Sequence, residues 1–190
     1  MDPLVKNIIG SCWGIFVIVW LLAAIFTKRT VYRESGTQRL RDMIPILIGC
    51  YLLFRGDRLP YPFNVHIIPQ ADAILVAAAI LCLCGVGFCF SARAVLGRNW
   101  SGAVTLKEGH ELVEHGPYRF VRHPIYTGML AMFFSTALIV GHLGGLIGTI
   151  LMFASFWIKL RDEEKLMLQQ FPRQYAAYQR RAKRIVPFVL

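Results

Sequence analysis

The chain of 190 residues is too apolar for an ordinary soluble domain, because 56% of its residues are hydrophobic and its mean hydropathy is +0.51. Its 21 lysines and arginines outnumber 11 acidic residues and give a net charge of +10, but these cations flank apolar runs. The composition therefore predicts an integral membrane protein whose cations meet lipid headgroups, and it argues against nucleic acid as a partner.

The first apolar run covers residues 8–26 and is close to the length of about 20 residues that a helix needs to cross a bilayer. A cleaved signal peptide is the alternative, but the run is longer than a typical h-region and cations follow it. By the positive-inside rule, the basic segment at residues 28–42 is predicted to be cytoplasmic, which puts the N-terminus outside.

The second apolar run is short, because it covers only residues 43–54 and has Pro45 near its start. Such a run spans the membrane only if the side chains of Arg55 and Arg58 extend to the far interface. We therefore expect a helix that stops early, followed by a proline-rich irregular segment that reaches the outer surface.

Residues 71–90 predict a third membrane helix that returns the chain to the cytoplasm. Within it, Cys82, Cys84 and Cys89 lie among alanines and glycines, which favours close helix packing by small residues. A metal site is disfavoured, because Cys82 and Cys84 point to different sides of a helix and no histidine is near in sequence. The odd total of five cysteines also argues against a disulfide framework.

Two further apolar runs, residues 125–140 and 146–158, are separated by the glycine-rich residues 141–145, which predict the tight turn of a helical hairpin. The tail, residues 159–190, is expected to continue the fifth helix near the cytoplasmic interface, with a bend at Pro172. The predicted fold class is an all-α integral membrane protein with about five transmembrane helices. It forms one domain, with the N-terminus outside and the C-terminus in the cytoplasm.

Two polar segments, residues 91–124 and 159–187, are predicted to emerge on the same membrane face and to flank the same hairpin, so we expect them to meet. Together they offer polar side chains suited to holding a ligand over an apolar cavity. These are His110, His115, Tyr118, His123, Tyr126, Glu163, Glu164, Tyr175 and Tyr178. Structural alternatives exist, since Pro124 is suited to begin a helix and tyrosines form interfacial belts.

The two segments also contain motifs in a familiar order. These are residues 96–102 (LGRNWSG), 109–118 (GHELVEHGPY), 122–128 (RHPIYTG) and 163–178 (EEKLMLQQFPRQYAAY), followed by Arg184 and Pro187. In this order and spacing the chain resembles the isoprenylcysteine carboxyl methyltransferase family of integral membrane enzymes. The resemblance covers roughly the C-terminal half. It implies that residues 91–190 form a cytoplasm-facing pocket for S-adenosylmethionine, closed by the C-terminal segment and open to the lipid for the acceptor.

Matching the family's motifs residue by residue implies a set of cofactor contacts. They are Thr105, His110, Glu111, Leu112, Val113, Tyr118, His123, Pro124, Ile125, Tyr126 and Glu163. The family has a basic residue, usually arginine, four positions before this glutamate, and this chain has Lys159 there. Lysine keeps the charge but lacks the bidentate fork that matches a carboxylate, and Arg161 or Arg184 is a candidate to supply it.

The resemblance therefore implies that Lys159, Glu163 and Arg184 are catalytic and that Lys159, Tyr175 and Tyr178 bind the acceptor. Methyl transfer from a sulfonium is an in-line displacement, so the enzyme mainly aligns its reactants and excludes water. A carboxylate acceptor is ionised at neutral pH and needs no general base. A thiol or amine acceptor needs one, for which His123 or Glu164 is a candidate.

Three classes of function remain open. The first is S-adenosylmethionine-dependent methylation of a lipophilic acceptor, which is an isoprenylcysteine-like carboxylate or, in the same fold, a phospholipid, small amine or thiol. The second is an NADPH-dependent membrane reductase, because sterol-reductase-like proteins resemble this C-terminal architecture. The third is a noncatalytic membrane protein whose polar segments dock a partner. The expected partners are membrane lipids and a lipophilic or prenylated substrate from the bilayer, without nucleic acid or metal.

Overall fold

The structure is a computed structural model that describes residues 3–27, 30–33, 35–97, 100, 105–107 and 112–186. Besides short 3-10 helices at Gly56–Arg58 and Gly116–Arg119, the described chain contains five long α-helices, two short strands and a final short α-helix. In chain order these are α1 (Pro3–Ala24), β1 (Thr30–Arg33), α2 (Gly36–Arg55), α3 (Asp72–Leu96), β2 (Thr105–Lys107), α4 (Pro124–Val140), α5 (Leu143–Gln170) and α6 (Pro172–Arg181). The predicted all-α class is confirmed, apart from the antiparallel pairing of β1 with β2, which the sequence did not predict.

Helix α2 is longer than the helix that the sequence predicted for the second apolar run, so that prediction was wrong. It begins at Gly36 and extends over 20 residues, because Ser35 and Gln38 form a capping box at its N-terminus. The Ser35 hydroxyl accepts a hydrogen bond from the Gln38 amide, and the Gln38 side chain accepts one from the Ser35 amide. Residues 36–42, which the sequence placed in the basic segment before the second apolar run, therefore form the first two turns of α2. Pro45 lies in the interior of this helix.

Small residues allow the backbones of neighbouring helices to come close, as predicted for α3. A Cβ atom added at Gly85 would lie 2.8 Å from the Gly128 carbonyl oxygen of α4, and one added at Gly128 would lie 2.5 Å from the Cys89 sulfur. On the other side of the molecule, a Cβ added at Gly49 of α2 would lie 2.7 Å from the Gly148 oxygen of α5. These contacts fix α2, α3, α4 and α5 at short interhelical distances.

The hairpin between α4 and α5 is confirmed, but its turn is shorter than predicted. Only Gly141, in the left-handed conformation with φ of 70°, and His142 separate the two helices. The His142 imidazole caps α5 because its Nδ1 accepts a hydrogen bond of 2.9 Å from the Gly145 amide. The glycines at 144 and 145 therefore belong to the first turn of α5, where they pack against the end of α2 and against α4.

The tail follows the prediction, since α5 continues to Gln170 and a new helix begins at Pro172. By length and composition, α1, α3 and α5 are each able to cross a membrane, and α4 is a shorter apolar helix. The chain is thus a multi-pass membrane protein. We take the membrane-spanning part of α5 to end at Ile158, where its apolar run ends. The "site face" of the bundle is the end at which α3 stops and α4 begins, and the other end is the "opposite face".

Candidate active site

At the site face, the carboxylate of Glu164 is surrounded by cationic and polar donors. Its side chain is 5% exposed, and its oxygens lie 2.8 Å from Arg122 Nη2, 2.7 Å from Arg184 Nη2 and 3.2 Å from His123 Nε2. The Nε atoms of Arg122 and Arg184 donate further hydrogen bonds of 2.8 and 3.1 Å. The two polar segments therefore meet at this carboxylate, as the sequence predicted.

The surroundings of Glu164 keep it ionised. Burial alone would raise its pKa, but hydrogen bonds from His123 and Arg184 and the positive charge of Arg122 outweigh this effect and lower the pKa to about 2. A carboxylate with so low a pKa and so many donors accepts a proton poorly at neutral pH. The geometry thus argues against Glu164 as the general base that the sequence left open.

Residues 182–186, which we name the closing segment, pack against the start of α4. The Arg122 amide donates to the Lys183 carbonyl at 2.7 Å, and the His123 amide donates to the Arg184 carbonyl at 3.1 Å. The Thr127 hydroxyl donates to the Ile185 carbonyl at 2.6 Å. The backbone and the Glu164 ion pairs therefore hold the closing segment in the same place.

Glu163 has a different environment from its neighbour, because successive helical residues are about 100° apart around the axis. Its side chain is 22% exposed. One carboxylate oxygen accepts a hydrogen bond of 2.7 Å from the Tyr126 hydroxyl, and the other lies 3.6 Å from His123 Nδ1. One turn earlier in α5, the Lys159 ammonium lies 6.0 Å from the centre of the Tyr126 ring. These four side chains form a half-buried polar group at the end of the apolar hairpin.

Tyr175 and Tyr178 lie apart from this group, in the packing of the tail. Both are 3% exposed and contact Ala182, with Leu112 against the same cluster. The Tyr178 hydroxyl donates to the Tyr118 carbonyl at 2.6 Å, and burial raises the pKa of the Tyr178 phenol above its ordinary value. These contacts attach α6 to the segment before α4, and the role of the two rings in acceptor binding stays a prediction.

The remaining predicted cofactor residues lie in several parts of the structure. Tyr118 and Ile125 are buried together with Val113 at their side, and Pro124 is fully buried in the first turn of α4. The backbone of Thr105 lies in β2, and His110 and Glu111 lie outside the described residues. The structure thus brings His123, Tyr126, Lys159, Glu163 and Arg184 together.

The sequence reasoning missed Trp157 as a residue of this region. The Arg184 guanidinium carbon lies 4.6 Å from the centre of the Trp157 ring, close enough for a cation–π contact. Arg184 is therefore held by Glu164 on one side and by an aromatic ring on the other. In the sequence, only its spacing indicated Trp157. It precedes Glu164 by seven residues and so lies on the same helix face.

Comparison with known proteins agrees with this architecture. The family model for phospholipid methyltransferases matches residues 73–174, which is more than half of the chain. The chain belongs to this family. Within it, the chain is similar to protein-S-isoprenylcysteine O-methyltransferase B of Arabidopsis thaliana, with 30% identity over 49% of this chain and 49% of that protein. The enzyme of Tribolium castaneum is 31% identical over 57% of this chain and 41% of its own length.

The fold is also similar to a solved family structure, that of the eukaryotic intramembrane Ras methyltransferase ICMT. The TM-score is 0.53 at 22% identity, over 84% of this chain and 55% of that one. The enzyme of Schizosaccharomyces pombe is 28% identical over 75% of this chain and 58% of its own length. The chain thus spans about half the length of the curated relatives it matches. The resemblance to the isoprenylcysteine carboxyl methyltransferase family is confirmed at the level of family and fold.

Proposed function

We propose that the chain is an S-adenosylmethionine-dependent methyltransferase that acts on a lipophilic acceptor, most directly the carboxylate of an isoprenylcysteine-like molecule. The observation that supports this most is the group of His123, Tyr126, Lys159 and Glu163 at the polar end of the apolar hairpin. Such a position suits an acceptor whose tail lies in the bilayer and whose reactive group lies at the interface. The matched relatives, all named as methyltransferases, support the same reaction class.

The side chains of Glu163 and Tyr126 fit the proposed cofactor. Glu163 is a partly exposed carboxylate, which suits the ribose hydroxyls or the ammonium of such a ligand, and the Tyr126 ring suits a sulfonium. When bound, S-adenosylmethionine supplies a methyl group on a positively charged sulfur, which a nucleophile displaces. The protein's own contribution is to orient Glu163 through the Tyr126 hydroxyl and to exclude water with the closing segment.

Lys159 is the proposed contact for an anionic acceptor. Its ammonium lies over the Tyr126 ring, just past the end of the apolar run of α5 at Ile158, where a low local dielectric strengthens its attraction for a carboxylate. A carboxylate acceptor needs no proton transfer, which agrees with a Glu164 that is fully engaged in ion pairs. Arg184, the proposed alternative for the bidentate contact, already donates two hydrogen bonds to Glu164.

A second candidate is N-methylation of an aminophospholipid, and the description of the matching family model favours it. An amine acceptor must lose a proton before or during transfer. In that case His123 is the proposed base, because its two ring nitrogens face the two glutamates and its imidazole is 9% exposed. The two candidates thus differ in whether His123 is required for the chemical step.

The site face is proposed to be cytoplasmic, with the N-terminus on the other side. The segment after α1 and the tail, which both belong to this face, contain many more cations than acids, as the positive-inside rule requires. Cysteine labelling at an exposed position of the opposite face tests this in intact cells, with the variant Arg58→Cys as an example. If a membrane-impermeant reagent labelled this variant at position 58 only after permeabilisation, the proposed orientation would have to be reversed.

The function is tested first by binding. Purified protein in detergent is titrated with S-adenosylhomocysteine by calorimetry, and we expect saturable binding that weakens at least about tenfold in Glu163→Gln, the cost of one charge-assisted hydrogen bond. Absence of saturable binding, or tighter binding of NADPH, would refute the methyltransferase assignment. The acceptor is then classified with a radiolabelled methyl donor and membrane extract. Label released by base as volatile methanol marks an ester, and label that extracts with lipid but stays non-volatile after base treatment marks the aminophospholipid reaction.

A further inference from the structure

A cavity lies at the opposite face of the bundle, between the start of α1, the end of α2 and the α4–α5 turn. Its volume is about 920 Å³, within the range typical of small-molecule sites. Charged and polar side chains line one part of it, among them Lys6, Asp57, His66 and His142. The active-site residues named above lie at the other end of the 17-residue helix α4, about 25 Å away at 1.5 Å per residue.

Hydrogen bonds hold the histidine side of the cavity's polar rim in place. The segment before α3 is hydrogen-bonded to the hairpin turn, with the Ile67 amide donating to the Gly141 carbonyl at 2.9 Å and the Leu143 amide donating to the Val65 carbonyl at 2.8 Å. The buried His142 ring is fixed by its hydrogen bond from the Gly145 amide. Because Nδ1 accepts that bond, the neutral ring carries its proton on Nε2, so His142 presents an oriented donor.

The cavity becomes apolar away from this rim. Its apolar walls are the side chains of Ile9, Trp13, Phe54 and Ile139. Trp13 donates a hydrogen bond of 3.0 Å to Thr136 and packs at 4.8 Å between ring centres against Phe133. The ring of Phe133 is followed by Phe156 and Tyr126 in a continuous row of aromatic contacts. This row fills the space between the cavity and the candidate active site.

The cavity also opens sideways along α1. A Cβ atom added at Gly10 or Gly14 would have no heavy atom within 4 Å. Of the three helices that are able to span a membrane, α1 is the least buried, because only 17% of its most apolar 18 residues are buried. A ligand is therefore able to enter from the bilayer with its hydrocarbon chains between α1 and α2. Its polar group then reaches the rim at the interface.

We propose that this cavity binds one zwitterionic phospholipid of the leaflet at the opposite face, with its phosphate against Lys6 and His142 and its ammonium against Asp57. The rim carries both signs of charge, whereas an anionic lipid would place its net negative charge beside the Asp57 carboxylate. The apolar walls and lateral opening fit acyl chains, which a soluble zwitterion lacks. The bound lipid would fill the space between α1 and α2. This inference is independent of the proposed reaction.

The test uses quenching of tryptophan fluorescence by lipids with brominated acyl chains. A variant that retains Trp13 alone, with Trp20, Trp100 and Trp157 replaced by phenylalanine, is titrated in detergent micelles with brominated phosphatidylethanolamine. We expect saturable quenching at a low mole fraction of lipid, with at least about tenfold weaker binding in the Lys6→Gln/Asp57→Asn double variant, the loss of about 1.4 kcal/mol or more. Brominated phosphatidylglycerol and diacylglycerol serve as headgroup controls.

Four results would overturn the proposal. Quenching that rises linearly with lipid fraction would mean that Trp13 meets only bulk lipid. Equal saturation by all three lipids would show that the cavity does not distinguish headgroups. Unchanged binding in the Lys6→Gln/Asp57→Asn variant would show that these two side chains do not contact the headgroup. If the chain formed a dimer in which no brominated lipid quenched Trp13, the cavity would be assigned to a second copy of the chain. Circular dichroism of each variant confirms that its helices are intact before titration.

Discussion

Replacing Glu164 with glutamine is the sharpest test of how the candidate site is built. The substitution keeps the size of the side chain but removes the charge that Arg122, Arg184 and His123 share. Two guanidinium groups then remain at the site without their carboxylate. Because the pairs also hold the closing segment against the start of α4, we expect this segment to open locally while the membrane helices stay folded.

The size of the effect follows from the pKa of the carboxylate. In the folded protein this pKa is about 2, and in an unfolded chain it is about 4.3, so ionisation contributes about 3 kcal/mol at neutral pH. Because the folded pKa is the lower one, the contribution is present above about pH 4.3 and is lost as pH falls toward 2. In Glu164→Gln it is missing at every pH. Opening of the closing segment releases only Arg184 of the three partners, and loss of this charge-assisted contact raises the opening equilibrium at least about tenfold.

Hydrogen–deuterium exchange measures this opening directly. The amides of Arg122 and His123 donate to the closing segment, so the peptide that contains them should exchange faster in Glu164→Gln, after correction for intrinsic rates. The matched control is Glu163→Gln, one residue earlier, which should leave this exchange unchanged. Equal exchange in wild type and Glu164→Gln at pH 7, or an equal rise in both variants, would refute the reasoning.

Three further predictions use the same detergent-solubilised protein. Lys159→Ala should raise the KM for an anionic acceptor about tenfold, the loss of one charge-assisted contact, whereas Lys159→Arg should keep or lower it in steady-state assays. Gly128→Ala should destabilise the protein by about 1–3 kcal/mol in thermal melts, because the new methyl group overlaps the Cys89 sulfur and the Gly85 oxygen. Tyr178→Phe should lower stability by about 1–3 kcal/mol and leave the acceptor KM unchanged, since it leaves the Tyr118 carbonyl without its donor.

Each of these has its own control. Gly87→Ala is matched to Gly128→Ala, because a Cβ at Gly87 meets nothing within 4 Å and should be tolerated. An unchanged KM in Lys159→Ala would exclude contact between its ammonium and the acceptor. A raised KM at full stability in Tyr178→Phe would support the acceptor-binding role predicted from the sequence.

The apolar runs predicted most helices, but their ends depended on local chemistry that hydropathy does not contain. The first turns of α2 are polar, and only the pairing of Ser35 with Gln38 marks its start. The glycines after His142 suggested a loop, yet they are helical because the imidazole caps them and because neighbouring backbones need the space. A count of apolar residues therefore finds a helix and misplaces its beginning.

The candidate site was predictable in its parts and less so in their roles. The order of polar segments indicated that the region before α4 would meet the tail, and the Arg122–Glu164 contact confirms this. Which of the two adjacent glutamates is buried depends on the rotation of α5 about its axis and on Arg184, which is 20 residues further along the chain. Such information is tertiary, so the sequence left Glu164 open as a base, whereas the structure places its carboxylate in ion pairs with Arg122 and Arg184.

The neighbouring glutamates also constrain how α5 can evolve. Inserting one alanine between Gly148 and Lys159 would rotate the polar end by about 100° relative to the packed apolar end. Glu163 would then take the position of Glu164 beside the arginines, and Ile158 would take that of Lys159, so the ammonium would leave the ring of Tyr126. Substitutions at lipid-facing positions such as Ile150, which is 57% exposed, leave this relation intact. The geometry of the site therefore depends on the number of residues in this part of the helix more than on the identity of its outward side chains.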